Sequence, residues 1–467
     1  MIGIIDIGIY IPRYRLTGEM LAAQWGGSAR GSRSAANYDE DPISMAWEAA
    51  NNCLGPDAGE NIDGLYMAST TLPYTEKNNA ALLATVLNLR RDIFCADFAG
   101  SLRTGISALR AARDAVASGN ASRVVIAAAE MRMGRPSEPA ERNLADAAAA
   151  VVVGEGEVPA EIIDMKSTVR EYIDVWRTSE DKFLKSADAK FIQDTGYSVL
   201  QAEAAQAILN ANGLGPEDIK AVVAYAPDAR SIKPIARSIK IDIEKFVGLV
   251  SDVGDAGGVA PFLGLAKALE DAAPGDFILV LSHSSGADAI LLKVTEHIKN
   301  WKPANSVERQ VAAGAPVPSY GKYLQFRGVL PGEELNVWTS PAVLWREEKD
   351  NLRRIAKKCN KCGAVQFPVR RICWNCKAKD DMTDYRLGET GAVYTFTKDH
   401  LPPNPNPPTI MVSVDLDDGG RFYTQLTDCD PNKVEVGMKV QFTLRKFHSG
   451  GGFHNYFWKF RPVEVEK

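Results

Sequence analysis

Residues 1–300 carry the same order of elements twice, and this duplication constrains the fold more than any other feature of the chain. In the first copy, Pro42–Leu54 (PISMAWEAANNCL) reads as an amphipathic helix and Ile62–Thr71 as a strand. A helix at Ala80–Leu87, a strand at Ile93–Ala96, a glycine-bearing turn at Asp97–Ser101, a helix at Leu102–Ala117 and an apolar strand at Val124–Ala129 follow. The second copy places a helix at Tyr197–Asn210, a strand at Ile219–Tyr225, a short helix at Ile235–Lys240 and a strand at Phe246–Val250. A glycine-rich turn at Asp252–Gly258, a helix at Pro261–Leu269 and a strand at Phe277–Ser282 complete it. Helices alternating with apolar strands imply parallel sheets covered on both faces. Two such units packed together predict an α/β fold of five layers, αβαβα. The turns at Asp97 and Asp255 then lie near a shared pseudo-twofold axis, where strand ends and helix N-termini collect ligands.

A metal-ligand pattern interrupts this order. Cys359-Asn-Lys-Cys362 and Cys373-Trp-Asn-Cys376 hold four of the chain's seven cysteines. Paired C-x₂-C knuckles present four thiolates to one tetrahedral zinc, and a closed four-sulfur shell makes that zinc structural. Beyond it, Gly391–Thr397, Thr409–Asp415, Arg421–Leu426, Lys439–Phe447 and Tyr456–Phe460 alternate as short strands. Five strands after a ribbon predict a small all-β OB-fold barrel. The Leu401–Pro408 and Ser449–Gly452 stretches read as loops able to close over a ligand. The boundaries drawn from this pattern are 1–165 and 166–335 for the two halves, 336–386 for a helical approach and the ribbon, and 387–467 for the barrel.

A chain of 467 residues exceeds what one core organises, and 45 % hydrophobic with 24 % charged content is ordinary for a soluble globular protein. The net charge of −5, with the acidic turn Asp415–Gly420, gives no footprint for nucleic acid. The apolar start (MIGIIDIGIYIP) carries Asp6 and no basic leader, so it reads as a strand rather than a signal peptide, and no apolar run is long enough to span a membrane. Unpaired Cys53, Cys95 and Cys429 beside a thiolate site point to a reducing, cytoplasmic setting.

The strings ADFAGSLRTG (Ala96–Gly105), SHSSGADAILLKV (Ser282–Val294) and VPSYGKYLQFRG (Val317–Gly328), set in the duplicated order, resemble the thiolase superfamily, in particular its 3-hydroxy-3-methylglutaryl-CoA synthase branch. Residues 336–467 resemble the acyl-CoA-associated zinc-ribbon/OB-fold domain that often partners thiolase-like proteins, here fused to one. The resemblance implies a coenzyme A thioester as substrate, a homodimer, and the possibility of a complex with another acyl-CoA enzyme.

Four reactive positions of that family have changed together. In the notation of the family's strings, A-C-x-[AG]-G-[TS] is matched from Ala96, which puts Asp97 at the acylated cysteine. The histidine of V-x-H-x-P-N-x-K is Tyr225, and its CoA-associated lysine is Arg230. The glutamate of S-E-S-x-P-Y is Thr70, and the asparagine of G-N-T is Asp255. A carboxylate attacking a thioester would form a reactive anhydride at an uphill cost, and losing a nucleophile costs on the order of 10⁶ in rate. The implied chemistry is therefore retro-aldol cleavage of a β-hydroxyacyl-CoA through a thioester enolate, with Asp97 or Tyr225 as base and Asp255 as a polar contact. A condensing acyltransferase using Cys95, and a non-catalytic acyl-CoA-binding scaffold, are the alternatives. Each residue also has a plain structural role open to it: helix caps for Asp97 and Asp255, strand-end packing for Tyr225, a β-branched run for Thr70, a loop charge for Arg230. His283, a lone histidine at a strand end, reads as structural.

Overall fold

The computed structural model describes residues 1–28, 31–55, 58–332 and 337–463. These form two compact units, Met1–Ala36 with Met45–Tyr320, and Asn37–Ser44 with Gly321–Lys467. The sequence boundary at 335 lies outside the described residues, and the first unit ends at Tyr320.

The first unit is built on nine strands: β1 (Ile2–Tyr10), β2 (Gly64–Ala68), β3 (Phe94–Phe98), β4 (Arg123–Glu130), β5 (Ala147–Glu155), β6 (Ala160–Val169), β7 (Ile219–Ala224), β8 (Phe277–His283) and β9 (Gly286–Val294). Their order across the sheet is β7-β8-β9-β6-β1-β5-β4-β2-β3. Two half-sheets meet where Gly3 and Ile4 of β1 pair with Glu161 and Ala160 of β6. The helices that matter for the site are α1 (Pro42–Leu54), α2 (Asn79–Val86), α3 (Thr104–Ala117), α4 (Tyr197–Asn212) and α5 (Ala260–Glu270).

Amphipathic patterning decides the layers. On α3 the buried residues Ile106, Leu109, Ala112 and Val116 recur at helical spacing. They share one core with Phe262, Leu265 and Leu269 of α5 and with strand residues of both half-sheets, so α3 and α5 form the central layer. A Cβ on Gly105 would stand 2.5 Å from the Phe262 ring, so the two helices approach as closely as glycine permits. On the outside, α4 covers β7, β8 and β9 through Leu200, Ala204 and Ile208. On the other outer face, the α1 carbonyl of Ala49 passes 2.3 Å from where a Gly8 Cβ would sit on β1. The five layers expected from the duplication are present.

Two expectations need correction. The sheet is mixed rather than parallel: β2 pairs parallel with β3 and β4, and β7 with β8, but β4–β5, β1–β5 and β8–β9 are antiparallel. The apolar run 147–155 and the hairpin closing at Gly286 supply the reversed strands. The Phe246–Val250 strand reduces to one bridge between Phe246 and Val222, because the carbonyls of Leu249 and Val250 are taken by the N–H groups of Val253 and Gly254 as the chain coils.

The second unit holds the ribbon and the barrel. Ribbon strands Ile355–Cys359, Val365–Gln366 and Met382–Arg386 form one antiparallel sheet. The barrel strands β10 (Thr390–Asp399), β11 (Thr409–Leu416), β12 (Arg421–Leu426), β13 (Lys439–Gly450) and β14 (Phe453–Pro462) close in the order β10-β11-β12-β14-β13. The Ser449–Gly452 stretch, expected as a closing loop, is the tip of the β13–β14 hairpin: Gly450 pairs with Phe453, and Gly451 and Gly452 hold φ of 64° and 84°. Such a two-residue turn with positive φ matches the twist of the strands it joins.

This barrel encloses charges as well as rings. Phe442 stacks on Phe460 at 4.3 Å between centroids, and the Arg354 guanidinium lies 4.3 Å from the Trp458 ring centroid while pairing with Glu389. Lys459 Nζ donates to Asp39 at 2.8 Å, Arg445 pairs with Asp428 at 2.5 Å and with Glu40, and Tyr456 donates to Asp41 at 2.5 Å. Residues 37–44 thus supply the anions that satisfy cations buried in β13 and β14.

Candidate active site

One cavity of about 950 Å³ opens in the first unit. Arg132, just beyond β4, Tyr225, at the end of β7, His283, at the end of β8, and Asp255, in the turn before α5, line its inner part. Its other wall is an insertion between β6 and α4 that the sequence reading left unassigned. There Val175–Trp176 pairs with Lys185–Ser186 as a short hairpin, and Asp174 precedes it. The hairpin is pinned by the Leu184 N–H donating to the Met133 carbonyl at 2.8 Å and by Arg177 donating to the Thr70 carbonyl at 2.7 Å.

The deep end of the cavity is an ordered set of paired groups. Asp255 accepts from Arg132 at 2.8 Å and from the Gly257 N–H at 2.9 Å through Oδ1, and from the Tyr225 hydroxyl at 3.3 Å through Oδ2. Gly257 adopts φ of 56°, and a Cβ there would sit 2.7 Å from the Arg132 guanidinium, so only glycine leaves room for this ion pair. Burial by itself disfavours the Arg132 charge, but Asp255, Tyr225 and Glu130 outweigh it and hold the guanidinium protonated. Burial, reinforced by Asp255, pushes the Tyr225 phenol well above its usual value, so it stays a proton donor. On the neighbouring wall His283 Nε2 meets Asp174 Oδ2 at 2.8 Å. Burial alone would raise the Asp174 carboxyl, yet the histidine contact and the Val175 N–H bring it below the usual range.

The sequence-derived residues separate into two groups. Tyr225 and Asp255 are brought together on the cavity. Asp97 is not among its lining residues. It lies within β3, and its carboxylate accepts the N–H groups of Asn79 at 2.7 Å and Ala80 at 2.8 Å and the Asn79 side chain at 3.0 Å, capping α2. The strand runs to Phe98 and α3 begins at Thr104, so a residue at the helix N-terminus must come later than position 97. The turn entering α3 is formed by Ser101, Leu102 and Arg103, with Leu102 buried and no cysteine among them. Arg103 ties that turn to β9 by a two-pronged pair with Asp288, at 2.7 and 2.5 Å.

Thr70 also lies off the cavity lining, with its hydroxyl donating to Glu130 Oε2 at 2.6 Å and its N–H to Glu130 Oε1 at 3.0 Å. A carboxyl group therefore does reach this position, delivered from the end of β4. Burial raises its pKa, against the lowering effect of Arg132 and Thr70. Arg230 is exposed beside the lining residues Asp228 and Ser231 but does not itself line the cavity. Cys95 is half-buried and outside the lining, and burial together with Asp97 raises its thiol pKa, away from a reactive thiolate.

Sequence reasoning missed Arg132 and Asp174 and assigned His283 a structural role. Glu130 and Arg132, two residues apart at the end of an apolar strand, were a readable signal, because an i, i+2 pair shares one face.

In the second unit the Sγ atoms of Cys359, Cys362, Cys373 and Cys376 all lie within 4.8 Å of one another, with Cys359–Cys376 and Cys362–Cys373 at 3.6 Å. Metal–sulfur bonds of about 2.3 Å in a tetrahedron require sulfurs roughly 3.8 Å apart, so the four side chains fit one thiolate-bound metal ion.

Comparison with known proteins agrees with both units. Residues 384–445 match the ChsH2 C-terminal OB-fold domain, and residues 209–293 match the C-terminal part of 3-oxoacyl-[acyl-carrier-protein] synthase III. A solved HMG-CoA synthase complexed with CoA superposes with a TM-score of 0.65 at 17 % identity, covering 73 % of this chain and 95 % of that one. The 3-oxoacyl-[acyl-carrier-protein] synthase III of Aquifex aeolicus gives 0.57 at 21 %, covering 63 % of this chain and all of that one, a likeness of fold. The hydroxymethylglutaryl-CoA synthase of Methanopyrus kandleri is 28 % identical over 340 residues, 70 % of this chain and 97 % of that protein. That of Pyrococcus horikoshii is 30 % identical over 308 residues, 64 % of this chain and 88 % of that protein. With the thiolase-like layers, the cavity at the ends of β7 and β8 and these relatives taken together, the chain belongs to the hydroxymethylglutaryl-CoA synthase family and carries a ChsH2-type OB-fold domain at its C-terminal end.

Proposed function

We propose that this protein cleaves the Cα–Cβ bond of a β-hydroxyacyl-CoA by a retro-aldol reaction, without an acyl-enzyme. The observation that carries the reading is the cavity wall: it holds a phenol, an arginine–aspartate pair and a histidine, but no cysteine among the described residues. Condensation of the synthase type begins with acyl transfer to a thiolate. The turn entering α3 carries no cysteine and the Cys95 thiol lies outside the cavity, so neither offers one.

Cleavage needs a donor for the thioester oxygen as its carbon–carbon bond breaks and negative charge builds there. Tyr225 suits this. Its hydrogen bond to Asp255, at 3.3 Å, is long for an O–H···O contact, so the hydroxyl is held loosely and can turn to a stronger acceptor. Arg132 neutralises Asp255 behind it, so the phenol need not point at an uncompensated anion. A donor preorganised in a water-poor pocket is worth far more than the same group in solution.

The synthase reading rests on the names of the relatives and is tested alongside. Incubation with 3-hydroxy-3-methylglutaryl-CoA and no second substrate is expected to release acetyl-CoA. An acyl group retained on Cys95 would favour the synthase reading, and an untouched thioester would count against cleavage.

Two further parts of the proposal concern assembly and metal. β3 is the last strand of the sheet, with Phe94 65 % exposed, and such an edge is available for pairing with a second copy. Light scattering is expected to return twice the chain mass of 50.7 kDa, and a single-chain mass would oppose a homodimer. The four-cysteine cluster is proposed to hold structural zinc. Elemental analysis should find one zinc per chain, and Cys373→Ser should lower that content together with the melting temperature while leaving the cavity unit folded. Retention of full zinc and stability by this variant would rule the assignment out.

A further inference from the structure

We propose that His283, oriented by Asp174, is the general base that removes the β-hydroxyl proton of the substrate, a role that rests on the cleavage reading above. His283 is the buried one of the chain's five histidines, 2 % exposed, and it lines the cavity. One ring nitrogen, Nε2, is held by Asp174 at 2.8 Å. The other, Nδ1, is buried and has no hydrogen-bond partner. Buried polar atoms are almost always paired, and an orphan in the wall of a ligand-sized cavity marks a place where a ligand group belongs.

The surroundings suit a base. Three tyrosine rings enclose the imidazole: Tyr225 nearly parallel at 6.3 Å between centroids, with Tyr172 at 6.2 Å and Tyr197 at 6.3 Å edge-on. Their hydroxyls are directed elsewhere, Tyr172 to Thr195 and Phe191, Tyr197 to Ser231, and Tyr225 to Asp255. The titratable and charged groups around the ring are therefore Asp174, which contacts it, the three phenols, and Asp255 with Arg132 behind Tyr225. Because His283 lines the cavity and its Nδ1 has no protein partner, the substrate hydroxyl is the partner this nitrogen lacks. Asp174 itself is fixed by the Val175 N–H at 2.7 Å and sits where the 175–186 hairpin meets the core, so the hairpin that walls the cavity also orients the base.

The step balances without another reactant. His283 takes the β-hydroxyl proton, the O–H pair becomes the carbonyl π bond, and the Cα–Cβ pair moves into the thioester enolate whose oxygen faces Tyr225. The imidazolium then returns its proton to Cα, giving the shortened acyl-CoA and a free ketone or aldehyde. Asp174 keeps the imidazole in the reactive tautomer and stabilises the imidazolium, as a positioning residue.

The test measures kcat/KM for 3-hydroxy-3-methylglutaryl-CoA against pH for the wild type, His283→Asn, His283→Ala and Asp174→Asn. Wild-type activity should fall on the acid side, as expected of a step that needs a free base. His283→Asn should lose about 10²–10⁴ in kcat and the acid limb with it. Asp174→Asn should lower kcat more than it changes KM, because the imidazole loses the carboxylate that orients it. Added imidazole should restore part of the His283→Ala activity, which a packing role would not allow. Full activity of His283→Asn with an unchanged pH profile overturns the proposal while leaving cleavage itself standing. The ring ¹⁵N signals of the wild type provide a readout independent of turnover. 3-Hydroxy-3-methylglutaryl-CoA should shift the buried histidine's signal, and saturation without a shift overturns the assignment even if the variants fail to fold. A wild type that shows the shift but no cleavage would instead remove the function proposed above.

Discussion

Tyr225→Phe is expected to slow carbon–carbon cleavage by about 10²–10³ in kcat with little change in KM, the loss associated with one oxyanion donor. The substitution removes one oxygen from a ring that keeps its place between Asp255 and His283. Asp255 retains Arg132 and the Gly257 N–H, so no buried charge is left unpaired and the fold should persist. The expected split follows from where the hydroxyl acts: the uncharged thioester gains little from it, whereas the enolate gains much. Steady-state kinetics check this, and a variant that raised KM alone would assign Tyr225 to substrate binding instead. Cys95→Ser, by contrast, should leave kcat unchanged, since the thiol lies off the cavity with its pKa raised.

The largest effect on stability is expected in the barrel. Lys459 and Asp39 are about 1 % exposed and 2.8 Å apart. Lys459→Met removes the cation and leaves Asp39 buried with only part of its compensation, a change that typically costs about 3–5 kcal/mol. Asp39→Asn with Lys459→Met should recover part of that loss. Denaturant unfolding of the full chain checks both, and an unaltered midpoint for the single variant would contradict the assigned burial. The pair also sets a pH dependence. Burial alone would raise the Asp39 carboxyl, but Lys459 and Arg445 outweigh it and bring it below its ordinary value. A depressed folded-state pKa means a contribution present above about pH 4 and lost as pH falls through the folded value. Acid unfolding of the barrel unit should therefore become less steep in Asp39→Asn.

Much of this molecule was readable from periodicity. The Pro42–Leu54 helix has the bounds its apolar spacing indicated, and the five barrel strands were found because turn residues punctuate an alternating pattern. The two C-x₂-C knuckles needed no tertiary information, since their four ligands are close in sequence. Antiparallel β5 and β9 were harder, because a continuous apolar run such as 147–153 does not state its direction. The site divided along the same line. Tyr225 and Asp255 were found because each sits at a turn between a strand and a helix, where a motif keeps its register. Asp97 was expected at a strand-to-helix turn, but the strand runs on to Phe98 and the helix begins only at Thr104, so this carboxylate caps α2 instead of facing the cavity. Asp174 lies on an insertion with no periodic signal, and its value comes from meeting a histidine 109 residues away in sequence.

The central claim is that a carbon–carbon bond breaks here with no covalent attachment to the chain. Intact-protein mass spectrometry during a single turnover of 3-hydroxy-3-methylglutaryl-CoA, quenched at successive times, tests it directly. The account predicts acetyl-CoA accumulating in solution while the protein mass stays at that of the unmodified chain. A transient mass gain equal to an acyl group, rising and falling ahead of product, would contradict it.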